Sequence, residues 1–148
     1  MLADVLDRVR SSAEAGEAVV VAGAYELDVP ARVVHCADWG RGPGASLRSG
    51  LGALDPEVAA AVVLLADGPD VAPAAIDRVV AAWRAGAGAV VAASYGGVRG
   101  HPVVLDRSAW ASVPDEGART LDAVLVPCDD LGAPGDVDRP DDLPERLR

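Results

Sequence analysis

The sequence predicts an α/β fold with a mostly parallel sheet flanked by helices. Three observations carry that prediction. The run from Val58 through Ala66 is apolar on both faces, the pattern of a central parallel strand buried on both sides. Leu2 to Ala15 and Pro73 to Ala85 instead space their apolar residues at helical intervals. Between these segments the order reads helix, strand, strand, helix, strand, helix, strand, which is the alternation of an α/β chain.

The elements follow in order. Leu2, Val5, Leu6 and Val9 give the first helix its apolar stripe. Ala18 to Ala22, almost pure valine, is a strand, and Arg32 to His35 a short second one. Gly40-Arg41-Gly42-Pro43-Gly44 is a loop, and Ser46 to Leu54 a helix. Ala59 to Ala66 is the buried strand. It ends at Asp67, and Gly68-Pro69 breaks it. Pro73 stands near the first turn of a helix whose one face carries Ile76, Val79, Val80 and Trp83. Ala87 to Ala93 is a further strand. Tyr95-Gly96-Gly97-Val98-Arg99-Gly100 turns into Pro102 to Leu105, where antiparallel pairing is expected. Arg119 to Val124 is expected to be helical, and a polar tail to begin at Val126.

Composition narrows the function classes. A chain of 148 residues that is 51% hydrophobic can build one globular core. A net charge of −10 argues against nucleic acid or an anionic membrane as the main partner. No apolar stretch reaches the roughly 18 residues a membrane helix needs, and the amino terminus reads as an amphipathic helix rather than a signal peptide. Cys36 and Cys128 fit no metal spacing and read as buried free thiols of a cytoplasmic protein. All 13 basic residues are arginine, so no lysine is available for phosphate contact.

Four segments carry candidate chemistry. Asp67, at the carboxyl end of a buried strand, stands where open α/β sheets bind ligands, and its carboxylate suits a hard cation. The alternative is a turn former or cap of the following helix, the role also expected of Asp70. Asp136 and Asp138 flank Val137, so on an extended segment both point to one face, as a divalent metal requires; the alternative is a solvated acidic tail. Gly40 to Arg48 is glycine-rich and opens a helix, so Gly44, Ser46 and Arg48 are candidate contacts to an anion or a polar base edge. Its match to the dinucleotide fingerprint G-x-G-x-x-A is weak, because the preceding strand is short and Pro43 interrupts it. Gly100 and His101, after a glycine-rich turn, could contact substrate or assist proton transfer.

Five stretches, taken in order, resemble one family. They are Gly44 to Leu51, Ala66-Asp67-Gly68-Pro69, Tyr95 to Pro102, Pro114-Asp115-Glu116-Gly117-Ala118-Arg119, and Asp136 to Leu143. In this order they are similar to the MobA-like nucleotidyltransferases, in particular the molybdenum cofactor cytidylyltransferase-like branch. The resemblance implies a Rossmann-like sheet of the nucleotide-diphospho-sugar transferase type, formed by one domain over residues 1–148. It implies Mg²⁺-dependent transfer of a nucleoside monophosphate from CTP or GTP to a phosphorylated acceptor such as molybdopterin. Asp67 would then be a catalytic Mg²⁺ ligand, with Asp136 or Asp138 as a second. The Ser46 region, with Gly44 and Arg48, would meet the base, and Gly100 and His101 the acceptor.

The resemblance also has departures. The family's opening strand and glycine-rich triphosphate loop have no counterpart here, so the first βα unit is expected to be missing. Gly68 stands where the family has Gln. The alternative to an enzyme is therefore a non-catalytic nucleotide-binding or subunit-interaction homologue. Such a protein would carry an apolar groove in place of the lost strand, open to homodimerisation or strand exchange.

Overall fold

The computed structural model describes residues 1–132 together with Asp141 and Glu145. Helix α1 spans Leu2–Ser11, and its apolar stripe buries Val5 and Leu6. Arg8 and Arg10 in its last turn complement the helix dipole. Strands β1 (Val19–Ala22) and β2 (Arg32–His35) pair in parallel, Val19 with Arg32 through Ala22 with His35. Helix α2 (Pro43–Gly52) begins with Pro43 in its first turn, where a missing N–H costs nothing. Then come β3 (Ala60–Val63), α3 (Pro73–Arg84), β4 (Val90–Tyr95), β5 (Val98–Asp106) and β6 (Val124–Pro127).

The strands form two sheets, β1-β2 and β3-β5-β4-β6. The α/β class is as expected, but the larger sheet is mixed. β5 runs antiparallel to β3 and β4, whereas β4 and β6 are parallel. The reversal comes from the turn between β4 and β5. Gly96 and Gly97 both have positive φ (60° and 78°), which lets a two-residue hairpin close between Tyr95 and Val98.

The larger sheet is covered on both faces. Ile76, Val79 and Val80 of α3 pack with Val91, Ala93, Val104 and Cys128 on one side. Leu51 of α2 packs with Val90, Ala92, Val103, Leu105, Ala109 and Val113 on the other. Strand alternation thus sends Val91 and Val90 to opposite cores. Both cysteines are buried and free.

Three expectations are corrected. β3 is not a central parallel strand: it lies at an edge, pairs only with antiparallel β5, and its four residues are half-buried. Two-face apolarity reported that both its faces are covered, not how many strands flank it. Arg119 to Val124 is not a helix: a single 3₁₀ turn, Ala118–Thr120, precedes β6. Leu125 and Val126 are strand residues that extend the sheet beside β4, rather than the start of a polar tail.

Candidate functional site

A cleft of about 1470 Å³ opens at the carboxyl end of β3 and continues between β1 and β3. At the β3 end its walls are Pro43 and Ser46 of α2, Gly68, the segment Arg99-Gly100-His101 of β5, and Glu116 to Arg119. β5 delivers His101 to this end because the ladder pairs Val63 with Val103, and His101 lies two residues further on.

Strand pairing in β3 stops at Val63. Leu64 and Leu65 continue the chain, and Ala66-Asp67 forms a turn closed by the Gly68 N–H donating to the Leu65 carbonyl at 3.3 Å. Asp67 is half-buried in that turn, and among the described residues its carboxylate has no hydrogen-bond or ion-pair partner. It is therefore a hard oxygen donor next to the cleft mouth. No group of three or more His, Cys, Asp or Glu side chains converges among the described residues. Mg²⁺ is commonly held by one or two carboxylates, with substrate phosphates and water completing the shell, so a single positioned carboxylate fits that mode. Asp136 and Asp138 lie outside the described residues.

The opposite wall is interlocked. Gly44 donates its N–H to the Asp115 carbonyl at 2.9 Å, so the first turn of α2 lies directly on the 114–117 loop. A Cβ on Gly44 would fall 1.6 Å from the Pro114 carbonyl oxygen, so only glycine allows that approach. Arg48 donates to the Val113 carbonyl at 2.9 Å and to the Asp115 carboxylate at 2.5 Å, while Arg41 reaches the other Asp115 oxygen at 3.3 Å. The Arg48 hydrogen bond, with Arg41 nearby, holds the Asp115 carboxyl below its ordinary range. The sequence marked Gly44 and Arg48 as candidate ligand contacts; here both hold this loop against α2.

The third side is β5. Arg99 donates to the Leu121 carbonyl at 2.5 Å and the Ala118 carbonyl at 2.9 Å, pinning the 3₁₀ turn to the sheet. Partial burial lowers its pKa, while its guanidinium remains charged at neutral pH. The Tyr95 hydroxyl donates to the His101 carbonyl at 2.9 Å, and burial pushes the Tyr95 pKa up to about 12, keeping it a donor at neutral pH. Ser46, Gly100 and His101 thus line one cleft beside Asp67. Arg99, Glu116 and Arg119 carry the remaining charge at this mouth, with Asp115 behind it. Sequence reasoning gave them no role, although the stretch Pro114 to Arg119 was one of the five that marked the resemblance.

The comparisons with known proteins fit this architecture. A crystal structure of a homologue of Mycobacterium tuberculosis Rv0371c, from Mycobacterium sp. strain JC1, is similar with a TM-score of 0.75 at 23% identity, over 99% of this chain and 80% of that one. Rv0371c of Mycobacterium tuberculosis itself is similar with a TM-score of 0.73 at 26% identity, over 95% of this chain and 80% of that one. A structure of Rv0371c in complex with manganese gives a TM-score of 0.73 at 24% identity, with 95% and 81% covered. No curated protein matches the sequence. Among the described residues, no helix is long and apolar enough to cross a membrane. The MobA-like NTP transferase domain matches residues 1–129, most of the chain, and with the fold and the cleft in agreement the chain belongs to that family.

Proposed function

We propose that the cleft mouth is a nucleotide site at which a nucleoside monophosphate passes from CTP or GTP to a phosphorylated acceptor such as molybdopterin. Asp67 holds Mg²⁺ in this reading, with Asp136 or Asp138 as second ligand, and Ser46 meets the base. The observation that carries it is the convergence of Ser46, Gly68, Gly100 and His101 on one cleft at the carboxyl end of β3, beside an Asp67 carboxylate that has no partner among the described residues. The manganese bound by the similar Rv0371c supports a divalent metal in a fold of this kind.

The chemistry asked of the chain is positioning and charge compensation. Attack on an α-phosphorus breaks the bond to the pyrophosphate leaving group, and little covalent help is needed from side chains. Asp67 would hold a divalent cation, which would supply charge neutralisation for the transferred phosphate. The wall built by Gly44, Arg48 and Asp115 fixes Ser46 relative to the cleft. The Tyr95 hydroxyl fixes the backbone at His101 beside the acceptor. The domain, on this reading, is single and extends over residues 1–148 in a cytoplasmic protein.

A second reading, a non-catalytic nucleotide-binding homologue, has its own observation. The chain contains no lysine, and Arg48 and Arg99 spend their guanidinium groups on carbonyls and Asp115. Among the described residues lining this mouth, Arg119 is the one cation without a protein partner.

Calorimetric titration with CTP and GTP, with and without Mg²⁺, followed by a pyrophosphate assay with molybdopterin, separates the readings. Metal-dependent nucleotide binding with pyrophosphate release, both lost in Asp67→Ala, is the expected result. Nucleotide binding without release supports the second reading, and absence of binding overturns both.

A further inference from the structure

A phosphate approaching this chain meets a net charge of −10. At long range that charge repels it, so binding depends on cations placed at the site itself. All 13 basic residues are arginine, and those around the cleft have different occupations. Arg41 and Arg48 reach Asp115, and Arg48 also the Val113 carbonyl. Arg99 donates to the Ala118 and Leu121 carbonyls. Arg84, at the far end of the cleft, pairs with Glu14. Arg119 lines the mouth, is exposed, and has no hydrogen-bond or ion-pair partner among the described residues. Glu116 lines the same mouth and forms no ion pair with it.

The backbone that carries Arg119 is braced on both sides. Ala118 and Leu121 bracket it, and both carbonyls accept from the one Arg99 guanidinium. The Leu121 N–H closes the turn on the Ala118 carbonyl at 3.0 Å, and the Thr120 hydroxyl donates to the Gly117 carbonyl at 3.2 Å. Gly117 enters the turn at a φ of 92° and donates its N–H to the Pro114 carbonyl at 3.0 Å. Two arginines of one mouth thus divide the work: Arg99 holds the turn, and Arg119 projects from it. A side chain on a braced backbone loses less freedom on meeting a ligand than one on a loose loop. The planar guanidinium fork matches phosphate oxygens in pairs.

We propose, resting on the nucleotide site read at this cleft, that Arg119 is the residue that grips a phosphate group of the ligand there. Its guanidinium donates to the phosphate oxygens and compensates their charge from the wall of the 3₁₀ turn, apart from any cation on Asp67. Two sources bring such a phosphate to the mouth. One is the β- and γ-phosphates of the nucleoside triphosphate, which leave as pyrophosphate. The other is the phosphate of the acceptor. The contact is the same chemistry in both cases, and the two are separable by which ligand loses affinity.

The test compares the full-length wild type with Arg119→Gln and Arg119→Lys, with Mg²⁺ present. Calorimetry with CTP, GTP, their monophosphates and inorganic pyrophosphate reads the nucleotide. The KM for molybdopterin in a pyrophosphate-release assay reads the acceptor. Arg119→Gln should weaken one of the two about tenfold. Loss for the triphosphates and pyrophosphate, with the monophosphates unchanged, assigns the contact to the leaving group. Unchanged nucleotide affinity with a raised KM assigns it to the acceptor. Arg119→Lys keeps the charge without the fork and should lose only about threefold; a lysine variant as weak as the glutamine one overturns the charge contact. Unchanged affinity and KM in Arg119→Gln overturn the proposal while leaving the nucleotide site intact. A wild type that binds no nucleotide overturns the nucleotide site instead; pyrophosphate binding lost in Arg119→Gln then still upholds the phosphate contact, and no pyrophosphate binding overturns it too. The urea midpoint of Arg119→Gln should not move, since the side chain is exposed. A midpoint lowered as far as in Arg99→Ala makes the loss one of structure and overturns the contact.

Discussion

The two sides of the cleft mouth are built in opposite ways. On one side Gly44, Arg48 and Arg41 tie the first turn of α2 to the 113–117 loop, and Arg99 ties the 3₁₀ turn to β5. On the other, the turn carrying Asp67 is closed by one backbone hydrogen bond, and its carboxylate has no partner among the described residues. In that first wall the donors of Gly44, Arg41, Arg48 and Arg99 are used up in holding shape. The Asp67 carboxylate has no such use among the described residues. Groups that the fold already satisfies hold its shape, and under the proposed function a group it leaves unsatisfied meets the ligand.

The sharpest way to break this contrast is Gly44→Ala. The new methyl would stand 1.6 Å from the Pro114 carbonyl oxygen, so α2 and the loop must separate and the Gly44–Asp115 hydrogen bond is lost. Overpacking against backbone costs about 3 kcal/mol, which urea unfolding would read as a lower midpoint at unchanged slope. A variant as stable as the wild type would show that the first wall is not rigid.

Arg99→Ala comes next. It leaves the Leu121 and Ala118 carbonyls without their donor, for a cost of about 2 kcal/mol. Hydrogen exchange should speed up at 118–121 first, ahead of the core strand β4. Uniform acceleration across the protein would mean that Arg99 serves global packing and not the local pin.

Much of the contrast was legible in sequence, and the remainder was hidden for a physical reason. Turn chemistry and hydrophobic period are local, so Gly96-Gly97 announced the hairpin and Pro73 the helix start, whereas the strand expected to run to Ala66 ends at Val63. Strand neighbours are not local. The pattern of Val58 to Ala66 correctly reports two covered faces, yet is silent on which strands lie beside it. β6 was missed because Val124, Leu125 and Val126 form too short a run to separate from loop without their partner β4. At the site, glycine and arginine at a helix start look the same whether they meet a ligand or a neighbouring loop. Only the contact of Gly44 and Arg48 with Pro114 and Asp115 distinguishes the two. The reading of Asp67 rests on a signal that is itself local, an acid that closes an apolar run.

Acidification tests the first wall more gently. The Arg48 hydrogen bond depresses the Asp115 pKa, so the folded state holds this proton less tightly than the unfolded chain. The resulting stability is fully present above the ordinary carboxylate pKa of about 3.9 and is lost as pH falls through the lower folded value. Thermal melts of wild type and Asp115→Asn should therefore converge as pH drops below about 4 and stay apart at neutral pH. Parallel curves over that range would show that the ion pair contributes nothing.

The smallest effect on stability belongs to the residue with the largest expected effect on binding. Asp67→Asn changes a half-buried side chain that has no partner among the described residues, so unfolding should shift by no more than about 0.5 kcal/mol. Metal-dependent nucleotide binding should disappear in the same variant, since an amide is a poor substitute for an anionic oxygen toward Mg²⁺. Arg99→Ala should do the reverse, lowering stability while weakening nucleotide binding only as far as the wall loosens. If instead Asp67→Asn unfolds the protein as readily as Arg99→Ala, the acid is a structural member of its turn. The division between a wall that holds shape and a turn that holds ligand would then fail at its central residue.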